Sequence, residues 1–158
     1  MSAMKSKHTS QSNVSSVIAL IIVIAIIGGL VLIVAPAYKI SLRAANEAAA
    51  VATLNAIRVA QAKYGVHHNG EYGTFTQLFE EGYLDKRFNS DTPHNRGYVF
   101  VMNLVPRSEK KGPNFSVNAN PEQSGGIGAT GWFFYYIDSE SGICYSKLGP
   151  ATAADESL

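Results

Sequence analysis

Cysteine is nearly absent from this chain. A single Cys144 permits no intrachain disulfide and no cysteine-based metal site. Free cysteine usually packs as a small apolar residue, so Cys144 reads as part of a strand turned to a core. Charge is missing too: no Asp, Glu, Lys or Arg occurs from Val17 to Ala37. Glycine and proline are missing from Ile40 to Tyr64. Basic surplus is missing from the C-terminal part, where His67 to Leu158 holds seven Lys/Arg against eleven Asp/Glu. That balance excludes a broad basic face, so no nucleic-acid partner is expected. The short cluster Arg107, Lys110 and Lys111 is interrupted by Glu109 and reads as a solvated loop.

A catalytic constellation is also missing. No serine stands in a G-x-S-x-G context, and no glycine-rich phosphate loop precedes a helix. His67 and His68 are adjacent with no further ligand at metal-binding spacing. Asp138 to Gly142 lacks the alternating oxygen ligands of a calcium loop and reads as a hairpin turn. No enzymatic activity, cofactor or metal is expected.

What is present is an uncharged apolar run, Val17 to Ala37. A helix of about 20 residues at 1.5 Å each crosses a bilayer core of roughly 30 Å. Three readings fit the run: a retained signal anchor, a secretory signal cleaved near Ala35-Pro36-Ala37, and a buried core helix. Its length exceeds an ordinary signal h-region, which favours the anchor. Lys5 and Lys7 on one side and Lys39 and Arg43 on the other barely distinguish orientation. The short N-terminal tail and large C-terminal part favour the tail inside.

Beyond Tyr38 the helical pattern continues, rich in alanine, the strongest helix former. Val51, Leu54, Ile57 and Tyr64 fall on one stripe that would pack on a sheet. Arg43, Glu47, Asn55 and Arg58 fall opposite, with Arg43 and Glu47 spaced to pair along the helix. One rod is expected from about Val14 to Gly65, kinked at Pro36 and softened at Gly28-Gly29.

The remainder predicts a small head. Thr74 or Thr76 caps a short helix running through Glu81, with Leu78 and Phe79 facing inward. Strands are predicted over 97–105, 114–120, 132–137 and 143–146. Within the second of these, Phe115, Val117 and Ala119 share one face. A Gly/Ser-rich loop covers 121–131. The fold class expected is therefore α+β: a long N-terminal transmembrane-plus-stem helix packed on an antiparallel sheet of three to four strands. Four segments follow: a tail at 1–13, a transmembrane helix at 14–38, stem and head at 39–149, and a flexible tail at 150–158.

The stretch Ile22-Val-Ile-Ala-Ile-Ile-Gly28 through Pro36-Ala-Tyr38 resembles the N-terminal helix of type IV pilins and type II secretion pseudopilins. Gly28, Pro36 and Tyr38 match that motif without gaps. Asn69-Gly-Glu-Tyr-Gly-Thr-Phe-Thr-Gln-Leu78 and Tyr136-Ile-Asp-Ser-Glu-Ser-Gly-Ile143 are similar to segments of small pilin-like heads. The resemblance extends from Val14 to Lys147. It also has departures. Members of the family are cleaved after a glycine and carry a glutamate five residues into the mature helix. By register, Val14, Ser15 and Ala19 occupy the glycine, the new N-terminus and the glutamate positions, so the processing and assembly site is degenerate. A chain that is never cleaved has no new amine for that glutamate to pair with.

The resemblance implies a membrane-anchored structural or assembly protein of a type IV pilus or pseudopilus system. Its expected partners are membrane lipid and other pilin-like subunits or assembly-platform proteins, met through the N-terminal helix, with a homo-oligomer or filament as the product. Its expected place is the bacterial inner membrane, with the head periplasmic or extracellular. The alternative is a surface binding module that recognises a peptide, glycan or protein partner through Trp132, Phe134 and Tyr136.

Overall fold

A computed structural model of the chain describes residues 11–158. The chain divides into two units, Met1–Ile40 and Ser41–Leu158. Helix α1 runs Gln11–His67. In the first unit its described side chains, at 15–31 and 38–40, are all exposed. Among the described residues no helix is long and apolar enough to cross a membrane. The expected transmembrane helix is thereby corrected. The kink expected at Pro36 falls on a residue whose side chain lies outside the described ones.

The second unit is α+β. Its helical part buries Ala50, Leu54, Ile57, Ala60, Gln61 and Tyr64. Their spacings of three and four place them on one stripe of a 3.6-residue helix. After α1, Asn69 and Gly70 take positive φ values of 53° and 81° and turn the chain, so the stem ends two residues later than Gly65. Helix α2, Phe75–Glu80, starts at Thr74, whose hydroxyl accepts from the Gln77 amide while Gln77 Oε1 accepts from the Thr74 amide. This reciprocal cap satisfies two of the donors a helix start leaves open. Gln61, fully buried on α1, holds the approach to α2: its amide nitrogen donates to the Gly73 carbonyl at 2.6 Å and its oxygen accepts from the Gly73 amide at 2.9 Å. A buried amide needs such partners, and here one residue supplies both.

Six antiparallel strands follow in sequential order: β1 His94–Asn95, β2 Tyr98–Val105, β3 Asn114–Pro121, β4 Phe134–Asp138, β5 Cys144–Ser146 and β6 Glu156–Ser157. The expectation of three to four strands is corrected at both edges. β1 and β6 are two residues each, too short to show an alternating pattern. β1 meets β2 through Arg96 and Gly97, both at positive φ (46° and 73°), the tight hairpin turn that matches strand twist. β6 lies in the segment expected to be a flexible tail; Leu158 N donates to the Ile143 carbonyl at 2.9 Å beside it.

The sheet's inner face packs on α1. Tyr98 and Phe100 of β2, Phe115, Val117 and Ala119 of β3, and Tyr135 and Ile137 of β4 join Leu54 and Ile57 in one core. The predicted face of β3 is the buried one. Phe75 and Phe88 complete the core, their ring centres 5.7 Å apart.

Candidate functional site

The site is built around the loop between β3 and β4. Arg43 on α1 is 8% exposed, and its guanidinium gathers that loop. Nε donates to the Ala129 carbonyl, and Nη2 to those of Gly126 and Ile127, each at 2.9 Å. The plane of Arg43 lies over the Trp132 ring, 4.6 Å from its centre. One turn on, Asn46 donates to the Thr130 carbonyl at 2.9 Å, and Glu47 accepts from the Trp132 amide at 2.6 Å. Three side chains at i, i+3 and i+4 thus satisfy successive backbone groups of a loop that makes no strand of its own.

Sequence reasoning set Arg43 and Glu47 on a solvent face as a mutual pair, which the structure corrects. Both reach across to the loop instead. The signal was available as three polar residues, Arg43, Asn46 and Glu47, set into an alanine-rich stem. It had no visible partner, because the loop lies more than eighty residues away in sequence.

The loop's far end is equally constrained. Thr130 Oγ1 donates to the Gly97 carbonyl at 2.7 Å, tying the loop to the β1–β2 turn. Gly131 lies against the Tyr98 hydroxyl so closely that an added Cβ would overlap it. Tyr98 is fully buried and donates to the Phe133 carbonyl at 2.8 Å. Burial, followed by the nearby Glu47 charge, raises the Tyr98 phenol well above its usual range. The same two causes push Tyr135 up to about 12. Both phenols therefore stay protonated, and that of Tyr98 acts as a neutral donor.

Of the three residues expected to form a binding surface, Phe134 and Tyr136 lie on β4 and Trp132 precedes it. Phe134 and Tyr136 lie half-buried on the sheet's outer face, while Tyr135 and Ile137 between them enter the core. Tyr136 pairs across the sheet with Asn118 and Cys144. Asn118 Nδ2 donates to the carbonyl of buried Ala151 at 2.7 Å, so the C-terminal segment lies over part of this face. The Tyr136 hydroxyl is engaged by Asp138 at 3.1 Å. Trp132 lies two residues ahead of β4 and is 49% exposed.

Trp132 opens instead onto a groove. One concavity of about 410 Å³ is lined by Trp132, Phe133, Lys147, Ser124 and Gly125. A second, also about 410 Å³, shares Phe133 and Lys147 and adds Tyr145, Asp155 and Glu156. Lys147 Nζ lies 5.0 Å above the Phe133 ring at their common wall. Phe133 meets Tyr145 edge to face, with ring centres 5.3 Å apart. The Tyr145 phenol is raised above its usual range, first by its hydrogen bond to Glu156.

The remaining expected positions lie on the first unit's helix. Gly28 and Tyr38 are exposed, and a Cβ added at Gly28 or Gly29 would meet nothing within 4 Å. Ser15 and Ala19 are exposed. The side chains of Val14 and Pro36 lie outside the described ones. Among the described residues no group of three His, Cys, Asp or Glu is placed to hold a metal ion. Asp138 closes its own hairpin turn, accepting from the Glu140 amide at 2.8 Å and from Ser141. Comparison with protein-family models, with curated proteins and with solved structures found no match to this chain.

Proposed function

We propose that this chain is a pilin-like structural or assembly subunit of a type IV pilus or type II secretion-type pseudopilus system, acting by helix packing rather than by catalysis. One observation supports this reading most. Ile21, Ile22, Val23 and Ile24 are each more than half exposed on α1. Successive helical residues point about 100° apart, so four in a row leave no polar side for water. Such a surface requires apolar cover from outside the chain. The bare Gly28-Gly29 pair offers the flat patch on which a second helix approaches closely. On this reading the partners are lipid, other pilin-like subunits or assembly-platform proteins, and the place of work is the bacterial inner membrane.

A photoactivatable residue at Ile24, introduced in the native host, tests the proposal. Adducts to pilin-like or assembly-platform proteins, or to a second copy, support it. Adducts to lipid alone, with none to protein, overturn packing as the mode of action. Intact mass measured with and without a prepilin peptidase tests the processing site separately. An unchanged mass agrees with Val14, Ser15 and Ala19 as a degenerate site. A methylated chain beginning at Ser15 would assign ordinary processing instead.

A further inference from the structure

We propose that the groove floored by Phe133 binds a short neutral sugar chain, independently of how α1 packs. The groove's walls decide the ligand's chemistry. Trp132, Phe133 and Tyr145 supply three aromatic surfaces along two adjoining concavities of about 410 Å³ each. Flat rings of this kind take flat apolar faces, and a pyranose ring presents one made of C–H bonds. The polar groups then lie where the hydroxyl edge of such a ring would fall. Asp155 and Glu156 line one end, where their carboxylates keep lone pairs beyond those used by Thr152 and Tyr145, and the Lys147 ammonium lies at the shared wall. Aromatic walls with a few convergent polar groups are the usual composition of a small-molecule site.

Charge excludes the main competitors. A cationic ligand would meet Lys147 at the centre, and Lys147 and Arg43 already occupy faces of Phe133 and Trp132 as internal cations. An anionic ligand would meet Asp155 and Glu156. A neutral ligand rich in hydroxyls meets neither repulsion and has a partner for each charge. Two concavities in series, rather than one deep pocket, match a chain of two or three sugar units. The site is also held in shape before any ligand arrives. Arg43 and Glu47 fix Trp132 from the helix side, and Phe133 follows it directly, its carbonyl bonded to buried Tyr98. Walls fixed in advance lose little freedom on binding.

The chain contains one tryptophan, so its fluorescence reports on this groove alone. The full chain, kept in solution by a sugar-free detergent, is titrated with the β-1,4 trisaccharides of N-acetylglucosamine and of glucose, and with the α-1,4 trisaccharide of glucose. Spermidine and inorganic phosphate serve as charged probes. A saturable change is expected with at least one trisaccharide and with neither charged probe. So open a site sets the expected dissociation constant at about 1 mM, and titration to about 10 mM covers it. Glu156→Gln and Tyr145→Leu are each expected to weaken that binding at least about fivefold while circular dichroism stays unchanged. Should either variant disturb the fold, amide shifts of Phe133 and Lys147 in the native chain place the ligand instead. The proposal is overturned by no saturable change with any trisaccharide, by binding of the charged probes alone, or by shifts that map elsewhere.

Discussion

The Arg43 guanidinium lies 4.6 Å from the centre of the Trp132 ring while it donates to the carbonyls of Gly126, Ile127 and Ala129. One side chain thereby joins the stem, the loop and the wall of the groove. A planar fork is needed to reach three carbonyls and still present a flat face to an indole, and lysine has neither property.

Arg43→Lys is therefore expected to behave much like Arg43→Ala rather than as a conservative change. Hydrogen bonds from a charged donor, lost in a buried setting, set the cost of either at about 2–3 kcal/mol. Chemical denaturation measures that cost, and hydrogen exchange at 126–132 locates it. Native-like stability in the lysine variant would show that charge alone, without the fork, holds the loop.

Gly131→Ala is expected to destabilise by about 1–3 kcal/mol, since the added methyl overlaps the Tyr98 hydroxyl and a rigid buried ring cannot move aside. Tyr98→Phe in the same chain removes the oxygen but also the bond to the Phe133 carbonyl. The two changes should be less than additive, because the second relieves part of the first. A thermal-melt double-mutant cycle checks this, and simple additivity would place the strain elsewhere.

How much of this was legible in the sequence follows from range. The buried stripe Leu54, Ile57 and Tyr64 and the inward face Phe115, Val117 and Ala119 are set by local periodicity, and both were readable. Thr74 as a cap was one of two readable candidates. Arg43, Asn46 and Glu47 were visible as polar residues, but their partners are backbone groups of a distant loop, which carry no residue identity to read. β1 and β6 escaped for another reason, as two residues cannot display a period. The apolar run misled by length: counting uncharged letters from Val17 to Ala37 implies a membrane crossing, which no described helix satisfies. The strand expected to begin at Trp132 begins two residues later, at Phe134, so Trp132 precedes it.

Acid is expected to loosen the β4–β5 turn. Burial pushes the Asp138 carboxyl up, but hydrogen bonds from Ser141, the Glu140 amide and Tyr136 outweigh it and hold it below its usual range. A carboxyl with a lowered folded value stabilises the fold above its unfolded value near about 4, and that contribution is lost as pH falls through the folded value. Asp138→Asn should lower stability at neutral pH and flatten the decline on the acid side. Denaturation midpoints from pH 7 down to about 3 test it; an unchanged acid slope would assign the decline to other carboxyls.

Alkali acts on the core by the opposite sign. Burial raises Tyr135 to about 12, above the value near 10 of an unfolded tyrosine. The unfolded chain therefore releases this proton first. Stability from Tyr135 is complete below about pH 10 and is lost as pH rises through its folded value. Tyr135→Phe should retain more stability between those limits than the native chain does. Equal loss in both chains would assign the alkaline transition to other raised tyrosines, Tyr98 first among them.

The C-terminal segment should govern access to Cys144. That thiol is buried at 3% exposure, and burial, with the Asp138 and Asp155 charges, raises it. Two features could cover it: β6, whose Ser157 pairs with Cys144, and the stretch held by Asn118 at Ala151. Their separation along the chain lets each be removed alone. Deleting 156–158 abolishes β6 but keeps the Asp155 carboxylate that holds Thr152 beside Ala151, while Asn118→Ala frees only the Ala151 carbonyl. If β6 is the cover, deletion raises the rate of Cys144 alkylation by a neutral maleimide roughly tenfold or more, and Asn118→Ala changes it little. The reverse order would make the Ala151 stretch the cover and leave β6 as an edge that pairs without protecting. Equal, slow labelling in both variants would mean the thiol is shielded by Tyr136 and the sheet itself.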